Sequence, residues 1–409
     1  MAVTTRRIPP DIIVIVAGIS AALHIGKLPP AIPVLEQAMS LDLVTGGFLL
    51  SMVMLAGVTL GIVMGTTADS VGLRRALLTG LVLLGAGSLL GALASQPSHL
   101  LWLRAVEGLG FLLVVLPAPG LVRRLVPAEL LSRRLALWSC YMGLGVGSAL
   151  LVGPLWLDAF GWQSWWLLLG ALSLLLAWAV WQRVPRSADN APATGLPEQT
   201  WGTRIQRTLT RPGPWLVAIT FALYSGQWIA VVGFLPTLYT EAGYGPGLIG
   251  VMTAMVALVN IAGNLVAGQC LHRGVNAQTL LAAGFVALGL CAWVGFGLLT
   301  PGWGQFLAVL LFSACGGLIP GALFYLAVRL AADEQSISST VGWMQQWSSI
   351  GQFIGPPMVA LVASQVGGWH WTWGVTGAMT LGGLLATALL ARHRARLLAE
   401  QAVRRSPTS

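Results

Sequence analysis

Long apolar runs separated by short polar gaps repeat along the whole chain, and their length is the one a lipid bilayer demands. A spanning helix needs about 20 mainly apolar residues. Twelve segments meet that length: residues 12–33, 44–66, 75–95, 99–122, 134–156, 162–182, 214–238, 247–270, 277–299, 303–328, 338–363 and 371–391. Glycine and proline occur inside them, as membrane helices tolerate. The stretch 183–213 differs: Arg183, Pro185 and Arg186 give way to Ser, Asp, Asn, Pro and Gly, then to Arg204, Arg207 and Arg211. It is too polar to insert. The pattern therefore predicts an all-α membrane protein with six spans in residues 1–182, a linker at 183–213, six spans in 214–391 and a tail at 392–409.

The two sets of spans resemble each other at a nearly constant offset. Pro33-Val-Leu matches Pro236-Thr-Leu 203 residues later, Gly65 matches Gly268 at 203, and Pro119-Gly120 matches Pro320-Gly321 at 201. Trp138 pairs with Trp343 at 205, Gly153-Pro154 with Gly355-Pro356 at 202, and Gly161-Trp162 with Gly368-Trp369 at 207. Six pairs in near register argue for a duplicated six-helix unit.

Composition narrows the class. The 409 residues are 56% hydrophobic and 9% charged, against about 25% charged in soluble domains. The net charge of +9 comes without the basic helix or aromatic–basic interleaving of a nucleic-acid binder, so no nucleic acid is expected. Of 22 basic residues, 21 are arginines, and all of those but Arg104 fall in polar gaps or tails. They form clusters at Arg6/Arg7, Arg74/Arg75, Arg123/Arg124/Arg133/Arg134, the linker, Arg273, Arg329, and Arg392 to Arg405, all on one side. The opposite gaps hold Glu36, Asp42, His99, Asp158, Glu241 and His370, with no Lys or Arg. By the positive-inside rule both termini and the linker are cytoplasmic, in a bacterial-type inner membrane. Arg6 and Arg7 precede an apolar stretch too long for a signal-peptide core, which reads as a retained first span. Cys140, Cys270, Cys291 and Cys315 lack CxxC spacing and read as small core residues.

Several of these positions also carry a family resemblance. Gly65-Thr-Thr-Ala-Asp69-Ser70-Val-Gly72-Leu-Arg74-Arg75 resembles the loop 2–3 signature of the major facilitator superfamily, with Ser70 where a basic residue is usual. Its copy in the second half, Gly268-Gln-Cys-Leu-His272-Arg273-Gly274, has His272 in the aspartate position. Arg104-Ala-Val-Glu107-Gly108-Leu-Gly110 is similar to the helix-4 motif. Gly153-Pro154 resembles the helix-5 motif of drug/proton antiporters, but Trp156 and Leu157 stand where paired glycines should follow. Phe234-Leu-Pro236-Thr-Leu-Tyr239, Trp343-Met-Gln345-Gln346 and Gly355-Pro356 look like the cyanate/nitroimidazole-type branch. The resemblance implies two pseudo-symmetric six-helix bundles rocking about a central cavity lined by spans 1, 4, 7 and 10, with substrate near the midplane. It also implies a monomer, and a conformational latch made of Gly65, Asp69, Gly72, Arg74 and Arg75.

A cation in hydrocarbon costs roughly 2.5–3.5 kcal/mol on insertion scales, so such a residue normally faces a cavity and acts there. Lys27, the sole lysine, and Arg104 are the two basic residues inside spans, with His24 and Glu107 beside them. His24 and Lys27 share one face of the first helix, and Arg104 and Glu107 share one of the fourth. At 1.5 Å per residue His24 lies roughly 18 Å from the start of its span, and Arg104 and Glu107 lie roughly 8–12 Å below the opposite surface. The two pairs thus reach similar depths. Arg104 suits a bidentate fork to a carboxylate and Lys27 a point charge. Glu107 and His24 are suited to hold a coupling proton. Plainer roles fit too: an intrahelical Arg104–Glu107 ion pair, a Lys27 that snorkels, and a packing His24.

The second half supplies Tyr224, Gln227 and Trp228 on span 7, Asn260 and Asn264 on span 8, Tyr325 on span 10, and Gln345, Gln346 and Trp347 on span 11. These suit hydrogen bonds and aromatic walls around a substrate, or glue between helices. Trp138, Trp156, Trp162, Trp165 and Trp166 read as interfacial anchors.

The expected function is therefore secondary active transport of a small anionic solute, by proton-coupled uptake. A drug/proton efflux antiporter is the alternative. A copper importer is a third reading, on Cys140, Met142, Met252, Met255, Cys270 and His272. An enzyme is a fourth, lacking any nucleophile–base pair or metal triad. With no Walker A motif, no catalytic residue, cofactor or resident metal is expected.

Overall fold

The computed structural model describes residues 9–189, 200–333 and 336–405; inside its helices, the side chains of residues 65–71, 128, 132, 136, 139, 201 and 397–405 fall outside that description. In chain order the helices are α1 (Pro10–Gly26), α2 (Ile32–Met39), α3 (Leu43–Met52), α4 (Leu55–Val71), α5 (Leu73–Gly91), α6 (Pro97–Val115), α7 (Ala118–Leu125), α8 (Ala128–Ser139) and α9 (Tyr141–Arg183). Then follow α10 (Trp201–Leu209), α11 (Pro212–Glu241), α12 (Pro246–His272), α13 (Ala277–Ala292), α14 (Trp303–Gly316), α15 (Leu318–Leu330), α16 (Ile337–Val366) and α17 (Thr372–Arg405). No strand occurs among the described residues.

Among those residues, ten stretches are long and apolar enough to cross a membrane. Two features reconcile ten with the twelve spans expected. The 43-residue α9 is roughly 65 Å long by its rise, twice the hydrocarbon thickness. Gly161, with φ 76° and ψ 167°, breaks it into two spans. The 30-residue α16 is long enough, but Ser339, Gln345, Gln346, Ser348, Ser349 and Gln352 dilute its apolarity.

Breaks inside spans follow local chemistry. Pro29 and Pro30 separate α1 from α2 by a short 3-10 turn, since proline brings no N–H to the helix ladder. Pro117 separates α6 from α7 and Gly317 separates α14 from α15, two and three residues ahead of the matched Pro119-Gly120 and Pro320-Gly321. The duplication is thus visible in backbone form. It recurs at Gly72 (φ 91°) and Gly274 (φ 86°), which end α4 and follow α12 in a region that other residues avoid.

Contacts sort the chain into two compact units. The first gathers Met1–Thr59, Thr67–Glu198 and Val232–Leu258; the second gathers Leu60–Thr66, Gln199–Val231 and Val259–Ser409. In the first, α1 packs on α9, and α5 packs on α6 and α9, around Val14, Ala17, Leu77, Leu81, Val114, Leu121 and Val180. Small residues allow the approach. A Cβ on Gly80 would come within 2.6 Å of the Gly110 carbonyl oxygen, and one on Gly110 within 2.7 Å of Gly80's. In the second unit α13 packs on α14 and α17, and a Cβ on Gly355 would sit 2.3 Å from the Gly226 carbonyl oxygen.

The first unit also positions the expected site. A Cβ on Gly87 would lie 3.1 Å from Glu107 Cγ, and one on Gly91 would lie 2.6 Å from the Trp166 ring. Glycine at these two positions of α5 makes room for both side chains beside α1.

Candidate functional site: a buried ion cluster

Lys27, Glu107 and Arg104 meet inside the first unit. Lys27 Nζ donates to Glu107 Oε1, and to Ser88 Oγ on α5 at 3.0 Å. Arg104 Nη1 donates to Glu107 Oε2 at 2.7 Å and to the His24 carbonyl at 2.7 Å. One carboxylate therefore bridges two cations, one on each oxygen. His24 Nδ1 lies 3.6 Å from Glu107 Oε1 and 3.4 Å from Lys27 Nζ. Its Nε2 bonds Ser173 Oγ on α9 at 2.8 Å, and Ser173 lies 3.3 Å from Ser20 Oγ. The Trp166 ring covers Lys27 Nζ at 4.7 Å, and Trp165 Nε1 donates to the Lys27 carbonyl at 3.2 Å.

The cluster is sealed. His24 and Lys27 are 0% exposed, and Arg104 and Glu107 are 1% exposed. An aqueous cavity beside Lys27 and Arg104 was the expectation; in this structure α1, α5, α6 and α9 close over both groups instead. Lys27 does not snorkel, because Glu107 offers it a partner at depth. The formal charge inside is +1: two cations against one carboxylate. Arg104 Nη2 is also buried without a hydrogen-bond partner. A buried charged donor left unpaired is expensive. An anion arriving beside Arg104 would supply both the missing acceptor and the second negative charge.

Four of the five tryptophans expected at the interface turn inward: Trp138, Trp162, Trp165 and Trp166 are buried. Trp165 and Trp166 instead wall Lys27, a use that composition alone does not distinguish from an anchor. Ser88 and Ser173 were not singled out from the sequence, because an isolated serine in an apolar run gives no signal by itself.

In the second unit the expected polar residues part company. Asn260 Nδ2 donates to Tyr224 Oη at 2.9 Å and to the Ser313 carbonyl at 2.8 Å, and Trp228 Nε1 donates to Ser313 Oγ at 3.0 Å. Those three residues converge on α14. Gln227 does not join them: its Oε1 accepts from Thr380 on α17 at 3.1 Å. Three residues turn a helix by about 300°, so Gln227 diverges from Tyr224 by enough to meet another neighbour. Tyr325 lies toward the far end of α15 and stacks under Arg329 at 4.7 Å. Gln346 Oε1 accepts the Ile62 backbone N–H at 2.9 Å.

At the loop signature, Gly72 needs its glycine twice. Its φ is positive, and a Cβ would stand 3.1 Å from Asp189 Oδ1. That oxygen caps α5, accepting from Arg74 N at 2.8 Å and Arg75 N at 3.3 Å. The buried Arg74 guanidinium caps α9, donating to the Val184 and Trp181 carbonyls, each at 2.8 Å. Arg75 is 79% exposed and 3.6 Å from Asp189 Oδ2, a pair that solvent weakens. Gly65 and the Asp69 side chain lie outside the described residues. For the copper reading, Met252 is 2% and Met255 46% exposed, so the two side chains meet different surroundings.

Comparison with known proteins agrees with this architecture. The sequence model of the Major Facilitator Superfamily matches residues 12–356. The chain belongs to that superfamily. It is 27% identical to the 2-nitroimidazole transporter of Escherichia coli, over 83% of this chain and 84% of that protein. The cyanate transport protein CynX of Escherichia coli is 22% identical, over 94% and 97% of the two chains. The 4-hydroxybenzoate transporter PcaK of Pseudomonas aeruginosa is 25% identical, over 87% and 85%. A solved bacterial homologue of the human lysosomal transporter Spinster, in an inward-facing and occupied conformation, shares the fold at a TM-score of 0.75. It is 14% identical, over 93% of this chain and 96% of its own. The chain is thus a multi-pass membrane protein of a transporter superfamily.

Proposed function

We propose that the chain takes up a small anionic solute together with a proton, by alternating access. Arg104 carries this reading: it is a cation in excess of the local carboxylate, with a buried Nη2 that lacks an acceptor. Likeness to proteins named for cyanate and 4-hydroxybenzoate supports a small anion. Solute reaches Arg104 only when α1, α5, α6 and α9, which cover it within the first unit, move apart, so the cycle needs local opening in that unit as well as alternating access.

Glu107 is the proton acceptor in this scheme, with His24 beside it. Protonating Glu107 releases Lys27 and Arg104 from their shared counter-ion and opens both to a substrate carboxylate. The charges then balance: the cluster holds +1 before binding, and +1 again with one proton and one monoanion aboard. One-to-one symport leaves the buried charge unchanged, so the cycle is electroneutral. Gly72, Arg74 and Arg75, with Gly65 and Asp69, form the latch. The arginine distribution supports cytoplasmic termini in an inner membrane, with a single chain as the working unit.

The test is uptake by the purified chain in proteoliposomes, with labelled cyanate and 4-hydroxybenzoate. An inward proton gradient should drive accumulation of at least one of them, and an imposed voltage should not. Arg104→Lys, which loses the planar fork, should lower uptake by roughly tenfold or more. Unchanged uptake in both Arg104→Lys and Lys27→Met would reject the anion site, and voltage-driven uptake would reject the stoichiometry.

A further inference from the structure

Away from the ion cluster, a cavity of about 240 Å³ lies between α1 and the second half of α9. Ile13 and Val16 line it from α1; Leu176 and Ala179 line it from α9, with Trp178 as a wall and Arg183 at one end. Each set sits at helical spacing on one face of its helix. Val16 is 41% and Trp178 58% exposed, so the groove opens on the outer surface of the helices, where the bilayer lies. From Leu176 to Arg183 it runs roughly 10 Å along α9. Its volume is below the roughly 300–1,000 Å³ of pockets that enclose compact ligands. The shape suits a chain laid lengthwise.

Charge at its mouth selects the occupant. Arg183 is exposed and forms no ion pair or side-chain hydrogen bond among the described residues. It is not needed as a helix cap, because Arg74 already holds the Trp181 and Val184 carbonyls. Gln182 lines the same end and adds an amide donor, and Arg186 follows three residues after Arg183, past the end of α9. Basic pockets between membrane helices at the polar boundary take anionic headgroups, and tryptophan sits at headgroup level.

We propose that this groove binds one glycerophospholipid with an anionic headgroup. One acyl chain lies against Ile13, Val16, Leu176 and Ala179, and its phosphate pairs with Arg183. The site is independent of the transport reading, since none of these residues belongs to the ion cluster.

The full chain, purified in mild detergent, is offered equal amounts of phosphatidylglycerol and phosphatidylcholine with the same acyl chains. Retained lipid is counted by native mass spectrometry. One phosphatidylglycerol should be retained in about fivefold preference, the factor expected of one arginine near an anionic headgroup. Arg183→Gln should bring the ratio near one. Ala179→Trp, which fills the groove, should remove both lipids; Val16→Trp is a second filler should the first fail to fold. A preference that survives Arg183→Gln, or is missing from the wild type, overturns the headgroup assignment. Lipid retained in a folded groove-filling variant overturns the groove.

Discussion

Replacing Glu107 by glutamine removes the one carboxylate that neutralises Lys27 and Arg104, and raises the formal charge of a sealed site from +1 to +2. Breaking a buried pair from one side costs about 3–5 kcal/mol, because the partner stays buried and uncompensated. Lys27→Met acts in the opposite sense. It leaves Arg104 and Glu107 at zero net charge, and Ser88 keeps its 2.8 Å bond to the Trp166 carbonyl. Its cost should be nearer 1–2 kcal/mol, mostly the lost contact with Trp166. For a unit of about 200 residues each kcal/mol moves the thermal midpoint by about 2–4 °C, so Glu107→Gln should melt roughly 6–20 °C below wild type. The double variant returns the site to +1 and should recover roughly 1–3 kcal/mol of the Glu107→Gln loss. Tryptophan fluorescence melts of the four purified proteins at pH 7 give the comparison. A Glu107→Gln protein that melts within about 2 °C of wild type, while Lys27→Met falls further, would refute the charge count.

Other outcomes follow from the same geometry. Gly72→Ala should cost about 1–3 kcal/mol from its left-handed backbone alone, read as a lowered melting midpoint; Asp189→Ala should cost about 1 kcal/mol by uncapping α5. Gly351→Leu should destabilise by about 1–3 kcal/mol or more, since even a Cβ there meets the Ala222 carbonyl oxygen at 2.0 Å. Asp333 accepts from the Ser336 hydroxyl at 2.7 Å and backbone at 2.8 Å, and pairs with Arg207 on α10 at 2.5 Å. The Ser336 hydroxyl first, then Arg207, hold its carboxyl below the usual carboxylate range. A depressed acid contributes above its unfolded value, about 3.9, and loses that contribution as pH falls through its folded value. Hydrogen exchange in α10, corrected for intrinsic rate, should therefore be flat from pH 7 to 5 and rise only below about pH 4; a rise centred near pH 6 would assign the tie to another group.

The membrane architecture was largely legible because bilayer thickness imposes a length that apolar runs either meet or miss. α16 shows the limit: residues 338–363 were expected to span on length, but their glutamines and serines leave α16 outside the ten stretches that are plainly apolar enough. Depth and facing of His24, Lys27, Arg104 and Glu107 followed from helical spacing, and the structure brings those four together. Enclosure was not legible. It depends on Ser88 from α5 and on Ser173 and Trp166 from α9, and on glycines at 87 and 91 that admit the larger side chains. Tyr224 and Gln227 show the same limit from the other side, since shared spacing on α11 does not decide which neighbour each will meet.

The bridge between Lys27 and Glu107 spans 80 residues of sequence, and that separation bears on how the protein is made. At about 5–20 residues per second a ribosome delivers the acid roughly 4–16 s after the base. Through that interval the first helix carries an unanswered ammonium that hydrocarbon disfavours by a few kcal/mol. Its neutralisation thus waits on the arrival of α6, the fourth span.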